Sequence, residues 1–139
     1  LGASNQALVS TSGITLNGGG LTLTNTTSAV GALNRENNAA GITSNGGTIT
    51  YANTSGNTYT ETLGTVTLNS GALNLFANTN MAAGSQTLTL GGLTRSGTST
   101  ATVAFLAASG LNTTGNIMVN SGAGGATAAG TVIGAWATT

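Results

Sequence analysis

The chain has almost no charge. Its 139 residues include two arginines and two glutamates, and lysine, aspartate and histidine are absent. An ordinary domain carries about a quarter charged residues, so electrostatic attraction has little to act on here. The formal net charge of +0 removes both the term that dominates nucleic-acid binding and the basic patch that anionic membranes attract. We therefore expect no nucleic-acid partner and no electrostatic membrane contact.

Cysteine and proline are also absent. The lack of cysteine excludes a disulfide scaffold, and without cysteine, histidine or aspartate no zinc-ligand spacing exists. The longest strictly apolar run, residues 103–108, is far shorter than the roughly 20 residues of a membrane-spanning helix. Gly18-Gly19-Gly20 is followed by no lysine and no helical pattern, so it does not predict a phosphate loop. We expect no metal, no cofactor and no membrane span.

The charged side chains are too few for catalysis. They are Arg35, Glu36, Glu61 and Arg95. Acid–base chemistry and oxyanion stabilisation need clustered ionisable or cationic groups. Isolated glutamates are expected to be solvated or paired with the arginines. We therefore predict that the protein is not an enzyme and assign no catalytic residue.

Small polar residues and 23 glycines make up much of what remains. Disordered chains combine low hydrophobicity with high net charge. Here the mean hydropathy is +0.22 and apolar residues recur at regular intervals, which favours an ordered all-β structure over disorder.

A repeat organises this pattern. Residues 14–26, ITLNGGGLTLTNT, recur as ITSNGGTITYANT at residues 42–54, with eight identities in thirteen positions. A looser third copy, VTLNSGALNLFANT, occupies residues 66–79, and a degenerate fourth begins at Leu88. Alternation of apolar residues with threonine predicts short strands. The Asn-Gly pairs predict turns, for which a β-hairpin is the simplest interpretation.

The spacing of the repeats argues against simple hairpins. Units that recur every 22 to 28 residues or so, each with two strands and a turn, match one coil of a β-solenoid. We predict a parallel β-helix or β-solenoid of roughly five to six coils, with weaker strands at residues 101–106, 116–120 and 131–136. In this stack Leu16 lies near Ser44 and Leu68, and Leu21 lies near Ile49 and Leu73. The predicted core comprises Leu16, Leu21, Leu23, Ile49, Leu68, Leu73, Leu75, Leu88, Leu90 and Trp136.

Asparagines recur at the predicted corners. Stacked amides form hydrogen-bonded ladders in cross-β assemblies, and the alternative is that each asparagine caps its own turn. One ladder is predicted at Asn17, Asn45 and Asn69, with turn glycines Gly18 and Gly46, and a second at Asn25, Asn53 and Asn78.

Residues 28–40 interrupt the pattern and carry half of the charge, which predicts a short helix or projecting loop. The whole chain, 1–139, is expected to be a single β-rich domain or a segment of a longer solenoid, and its first residue, Leu1, indicates a processed or excised chain. A rival fold is an antiparallel β-sandwich that polymerises when residues 1–12 complete a neighbouring subunit by donor-strand addition.

Part of the chain resembles a known family. The run ETLGTVTLNSGALNL at residues 61–75 resembles the autotransporter-associated β-strand repeats of large secreted bacterial proteins. LTLGGLTRSGTSTATVAF at residues 88–105 and VIGAWATT at residues 132–139 resemble the segments that follow such repeats. The resemblance implies an extracellular parallel β-helix with a structural or adhesive role, and it transfers no catalytic residue.

The leading functional hypothesis is a structural subunit or repeat segment of an extracellular filament, fibre or surface layer, with copies of itself or the rest of a longer chain as partners. The alternative is a surface adhesin that binds glycans or surfaces. Ice binding is a variant, because the Thr-x-Thr segments 48–50, 65–67 and 87–89 supply hydroxyl rows. Sequons mark candidate glycosylation sites at Asn25, Asn53 and Asn112.

Overall fold

The computed structural model describes residues 8, 10–25, 31–32, 37–53, 57–78, 84–107, 115–120 and 137–138. These residues form strands and turns and contain no helix. The strands, in chain order, are β1 (Gly13–Leu16), β2 (Gly20–Asn25), β3 (Gly31–Ala32), β4 (Gly41–Ser44), β5 (Gly47–Asn53), β6 (Thr58–Leu68), β7 (Ala72–Asn78), β8 (Ser85–Arg95), β9 (Thr102–Ala107), β10 (Gly115–Val119) and β11 (Ala137–Thr138).

The strands form two sheets between which the chain alternates. One sheet has six strands in the order β1-β4-β6-β8-β10, with β3 also paired to β6, and the other has five in the order β11-β9-β7-β5-β2. Each strand thus pairs with strands about one repeat away along the chain, not with its immediate successor. The all-β prediction is confirmed.

Every strand pairing in the described part of the chain is parallel. The antiparallel sandwich is therefore wrong. The hairpin interpretation of the Asn-Gly pairs is wrong as well, because β1 and β2, which flank Asn17-Gly18, belong to different sheets. Parallel neighbours need a long crossover, and here the rest of one repeat supplies it.

The register places repeat on repeat. Ile14 lies opposite Ile42, which lies opposite Val66 in β6. The contact predicted between Leu16, Ser44 and Leu68 is present in this register. The predicted neighbour of Ile49 is wrong, because Ile49 pairs with Leu75 and not with Leu73.

The difference arises at a corner. The segment from Leu68 to Leu75 is two residues longer than the corresponding segment from Ser44 to Ile49. Since side chains alternate with period two, a shift of two residues keeps apolar residues facing inward. Leu73 is accordingly still buried, at 1% exposure, and lies opposite Gly47.

Within each of the long strands β6 and β8, the alternation of inward and outward side chains shifts by one residue. In β6 the buried residues are Tyr59, Glu61 and Leu63, and then Val66 and Leu68, so the parity switches at Gly64. A Cβ at Gly64 would lie 2.1 Å from the carbonyl oxygen of Ala40. Only glycine lets the backbone of the preceding repeat approach this closely.

The core runs between the sheets. Most predicted core residues are buried: Leu16, Leu23, Ile49, Leu68, Leu73, Leu75, Leu88 and Leu90. Leu21 packs against this cluster but is only partly buried. Trp136 and residues 131–135 lie outside the described residues. The weaker strands are placed at Thr102–Ala107 and Gly115–Val119, within a residue of the predicted bounds.

The predicted insertion at residues 28–40 is described only in part. Gly31–Ala32 forms β3, which pairs with Tyr59–Thr60 of β6, and residues 37–40 form a turn before β4. Asn37 anchors this turn through its side-chain nitrogen, which donates to the carbonyl oxygen of Thr11 at 3.0 Å. Arg35 and Glu36 lie outside the described residues. Within the described ranges, no helix is long and apolar enough to cross a membrane.

Candidate functional site

The corner between the two sheets carries a ladder of asparagine side chains. The Nδ2 of Asn45 donates to the Oδ1 of Asn17 at 2.7 Å, and the Nδ2 of Asn69 donates to the Oδ1 of Asn45 at 2.6 Å. These partners are 28 and 24 residues apart in sequence. The middle asparagine thus bonds to the repeats on both sides, which fixes the stacking of the corner.

The backbone of the corner repeats together with the side chains. Asn45 N donates to the carbonyl oxygen of Leu16 at 2.8 Å, and Asn69 N donates to that of Ser44 at 2.8 Å. Ser44 is fully buried, and its hydroxyl oxygen accepts a bond from Gly46 N at 3.2 Å. In the second repeat the local cap of the turn is therefore provided by Ser44, whereas the asparagines bond between repeats.

Gly47 closes this corner. Its φ is 127°, which a residue with a side chain rarely adopts, and a Cβ there would lie 2.2 Å from the carbonyl oxygen of Gly19. The close approach also allows a backbone hydrogen bond, in which Thr48 N donates to that carbonyl oxygen at 3.0 Å. The corner sequence is thus required for contact between repeats as well as for the local turn.

The second predicted asparagine ladder has a different arrangement. Asn25 lies opposite Asn53, but Asn78 lies opposite Ala52, one position out of register. Asn53 is only 2% exposed, and its Nδ2 donates to the Oε1 of Gln86 at 2.9 Å. This buried bond joins the end of β5 to the start of β8 and therefore links the two sheets.

Glu61 is fully buried, at 0% exposure. The expectation of a solvated carboxyl group is wrong at this position, whereas the alternative, pairing with an arginine, stays a prediction. Glu61 lies between Tyr59 and Leu63 along β6, and its register partner on β8 is Leu88. Desolvation penalises a charged carboxylate strongly unless the surroundings compensate. Arg95, at the end of β8, is exposed.

Gln86 is another polar side chain in the interior. It lies opposite Tyr59 and is fully buried, and its Nε2 has no hydrogen-bond partner among the described residues. Sequence reasoning overlooks Gln86 and the burial of Glu61, although alternation contains the signal. Each has the parity of buried neighbours, Leu88 for Gln86 and Leu63 for Glu61, and the period of two places them inward.

Threonines form a column on the outer surface. Thr15, Thr43, Thr67 and Thr94 lie opposite one another on successive strands of the larger sheet. The hydroxyls of Thr67 and Thr94 are 3.2 Å apart and share a hydrogen bond. The predicted Thr-x-Thr rows do not stack as one array, because Thr48 and Thr50 belong to the other sheet.

The sequons occupy unlike positions. Asn53 is buried, and the nitrogen that would carry a glycan donates to Gln86. Asn25 is the last residue of β2. Asn112 lies outside the described residues. A glycan at Asn53 would require loss of the bond that links the two sheets.

The asparagine corner and the threonine column together form a surface whose side chains are uncharged and repeat from strand to strand. The corner and the threonine column offer amides and hydroxyls, which bind by hydrogen bonding and by close contact and not by charge. Comparison of the chain with protein-family models, with curated proteins and with solved structures gives no match.

Proposed function

We propose that this chain is a structural segment of an extracellular filament, fibre or surface layer. It forms a parallel β-solenoid of roughly five to six coils that assembles through end-to-end β contacts. The secreted setting is inferred from the resemblance to autotransporter-associated repeats. Nothing in this role requires a catalytic group, a metal or a cofactor.

One observation carries the proposal: the first three repeats are joined to one another through the same asparagine corner. Asn17, Asn45 and Asn69 are bonded in sequence order, and the strands on both sides of the corner are parallel and in register. An arrangement in which one unit is the template for the next has no intrinsic limit on length. Such a unit suits a structural role better than it suits the binding of a ligand in a pocket.

Distances along the threonine column test the solenoid form. The chain has no cysteine, so pairs of outward threonines can be replaced by cysteine and spin-labelled. Neighbouring coils lie about 4.8 Å apart. Backbone separations from Thr15 should therefore increase in equal steps of about 5 Å to Thr43, Thr67 and Thr94. Distances that do not rise in this order would contradict the solenoid.

Electron microscopy of the native material at neutral pH tests the structural role. We expect long uniform filaments, or a stalk much longer than this segment alone can form. The control is the same preparation in denaturant, from which the ordered objects should vanish. Discrete particles of the mass of one folded chain would contradict the filament.

A second function, binding to a hydroxylated surface, is favoured by the threonine column. Its side chains are uncharged and in register on four strands, which suits repeated hydrogen bonding to a glycan. Replacing Thr43 and Thr67 by valine should abolish glycan binding by the monomer without unfolding it. Ice is the variant ligand, and the absence of thermal hysteresis would exclude it.

A further inference from the structure

Two asparagines of the outer ladder are each followed by two glycines. Asn17 and Asn45 form the only Asn-Gly pairs in the chain, and both belong to an Asn-Gly-Gly sequence. In an Asn-Gly pair the backbone nitrogen of the glycine can attack the side-chain amide carbon, because glycine has no side chain to obstruct the approach. The identical following residues predict nearly equal reactivity at the two sites in an unfolded chain.

The folded chain holds the amide of Asn45 at both of its polar atoms. Its Nδ2 donates to the Oδ1 of Asn17 at 2.7 Å. Its Oδ1 accepts from the Nδ2 of Asn69 at 2.6 Å and from the hydroxyl of Ser70 at 3.4 Å. The amide carbon of Asn45 therefore cannot turn toward the nitrogen of Gly46 until these bonds break.

The amide of Asn17 is held at its oxygen only. Among the described residues its Nδ2 has no partner, and the side chain is exposed. The bond donated by Asn45 stabilises negative charge that develops on the Oδ1 of Asn17 during attack, as an oxyanion-hole donor does. The nitrogen that must depart as ammonia is unrestrained. The ladder thus restrains its second asparagine and leaves its first one reactive.

The attacking nitrogens also differ in the space around them. Each makes one hydrogen bond: Gly18 N donates to the carbonyl oxygen of Gly46 at 3.0 Å, and Gly46 N donates to the hydroxyl oxygen of Ser44 at 3.2 Å. Gly18 is exposed, and a Cβ there would meet no atom within 4 Å. Gly46 is buried, and a Cβ there would lie 3.5 Å from the carbonyl oxygen of Ala72. A ring therefore has room to form at Gly18 and much less at Gly46.

We propose that Asn17 is a site of spontaneous deamidation and that Asn45 is protected by its position within the ladder. A bond forms between Gly18 N and the Cγ of Asn17, the Cγ–Nδ2 bond breaks, and the proton lost from Gly18 N leaves with the ammonia. Water then opens the resulting succinimide to aspartate or isoaspartate. This site goes beyond the proposed structural function and does not depend on it.

The ladder tolerates an acidic product at one position and not at the other. An aspartate at residue 17 still accepts the bond from the Nδ2 of Asn45. An aspartate at residue 45 has no proton to donate to the Oδ1 of Asn17 and places a carboxylate oxygen against it. We therefore expect Asn45→Asp to lower the melting temperature more than Asn17→Asp does. A larger loss in Asn17→Asp would overturn this asymmetry.

Peptide mapping by mass spectrometry measures the two reactions in one sample. During incubation of the folded chain in mildly alkaline buffer, we expect Asn17 to deamidate at least about tenfold faster than Asn45, because fewer bonds must break. In denaturant the two rates should converge. Equal rates in the folded chain, or the same difference in denaturant, would overturn the proposal.

A variant of the third ladder residue tests the protection directly. Asn69→Ala removes one bond that holds the amide of Asn45, so deamidation at Asn45 should accelerate several-fold while the rate at Asn17 stays unchanged. Asn74→Ala is the matched control, because Asn74 is an exposed asparagine of the same repeat outside the ladder. Circular dichroism establishes that both variants are folded. An unchanged rate at Asn45 in folded Asn69→Ala would overturn the protective role of the ladder.

Discussion

Asn45 and Asn53 are eight positions apart, and the sequence makes both look like members of a ladder. Asn45 lies on the outer corner and bonds to the asparagines of the repeats before and after it. Asn53 is buried and donates across the interior to Gln86. The same residue type thus stacks along the repeat axis in one place and joins the two sheets in the other.

The difference follows from parity and register. Asn45 immediately follows β4 in a corner that has the same length in the first two repeats, so equivalent asparagines coincide. Asn53 has the inward parity of Ile49 and Tyr51, which are fully buried. An inward amide must find a partner inside, because an unpaired buried polar group costs about 1–3 kcal/mol.

The largest effect is expected when the corner itself cannot form. Gly47→Ala places a Cβ 2.2 Å from the carbonyl oxygen of Gly19 and requires an alanine at a φ of 127°. We expect a loss of about 3 kcal/mol or more of unfolding free energy, measured by urea denaturation. Gly19→Ala is the control, since a Cβ there has no atom within 4 Å. Equal stability of the two variants would show that the corner adjusts freely.

The next largest loss of stability is expected when the buried hydrogen bond between Asn53 and Gln86 is removed. Asn53→Leu leaves the Oε1 of Gln86 without this donor, and Gln86→Leu leaves the Nδ2 of Asn53 without this acceptor, so each should cost about 2 kcal/mol. The double variant should cost less than the sum by about 1–2 kcal/mol, because both polar groups are removed together. A double-mutant cycle by chemical denaturation measures this coupling. Strict additivity would mean that the bond contributes little.

The outer ladder should be weaker than the interior bond. Asn45→Ala removes both ladder bonds and a longer bond from the Ser70 hydroxyl at 3.4 Å, and should cost about 1 kcal/mol. Asn17→Ala removes one ladder bond and should cost about half as much. Thermal unfolding of the two variants under identical conditions gives this ratio. If Asn17→Ala proved the more harmful, the ladder would not be the cause of the effect.

The smallest effect is expected on the outer surface. Thr67→Val removes the hydroxyl pair with Thr94 but keeps a β-branched side chain that suits a strand. The expected change in unfolding free energy is within about 0.5 kcal/mol. A much larger loss in urea denaturation would show that the threonine column stabilises the fold.

The sequence predicts the all-β class and the parallel stacking of the first repeats, because Ile14 and Ile42 begin nearly identical segments with identical corner lengths. It also places Asn17 next to Asn45 for the same reason. The prediction fails where a corner changes length: the two additional residues before Leu75 make Leu75, not Leu73, the neighbour of Ile49.

The buried polar residues Glu61 and Gln86 are predictable in position but not in pairing. Alternation alone assigns Glu61 and Gln86 to the inward side, and only their polarity argues for solvent. That Gln86 meets Asn53, 33 residues earlier, depends on how the two sheets face each other. Local sequence patterns do not contain this distance, because it is set by the packing of the whole cross-section.

The corners have a practical consequence for engineering. The connection from Arg95 to Phe105 contains more residues than the one from Leu68 to Leu75, yet these strands still pair in parallel. Its residues Ser96, Gly97 and Thr98 are exposed, and lengthening a surface loop adds little closure entropy. A foreign peptide inserted after Gly97 should therefore be displayed without disturbing the sheets. In a polymer of such chains, it would recur once per subunit at a fixed spacing.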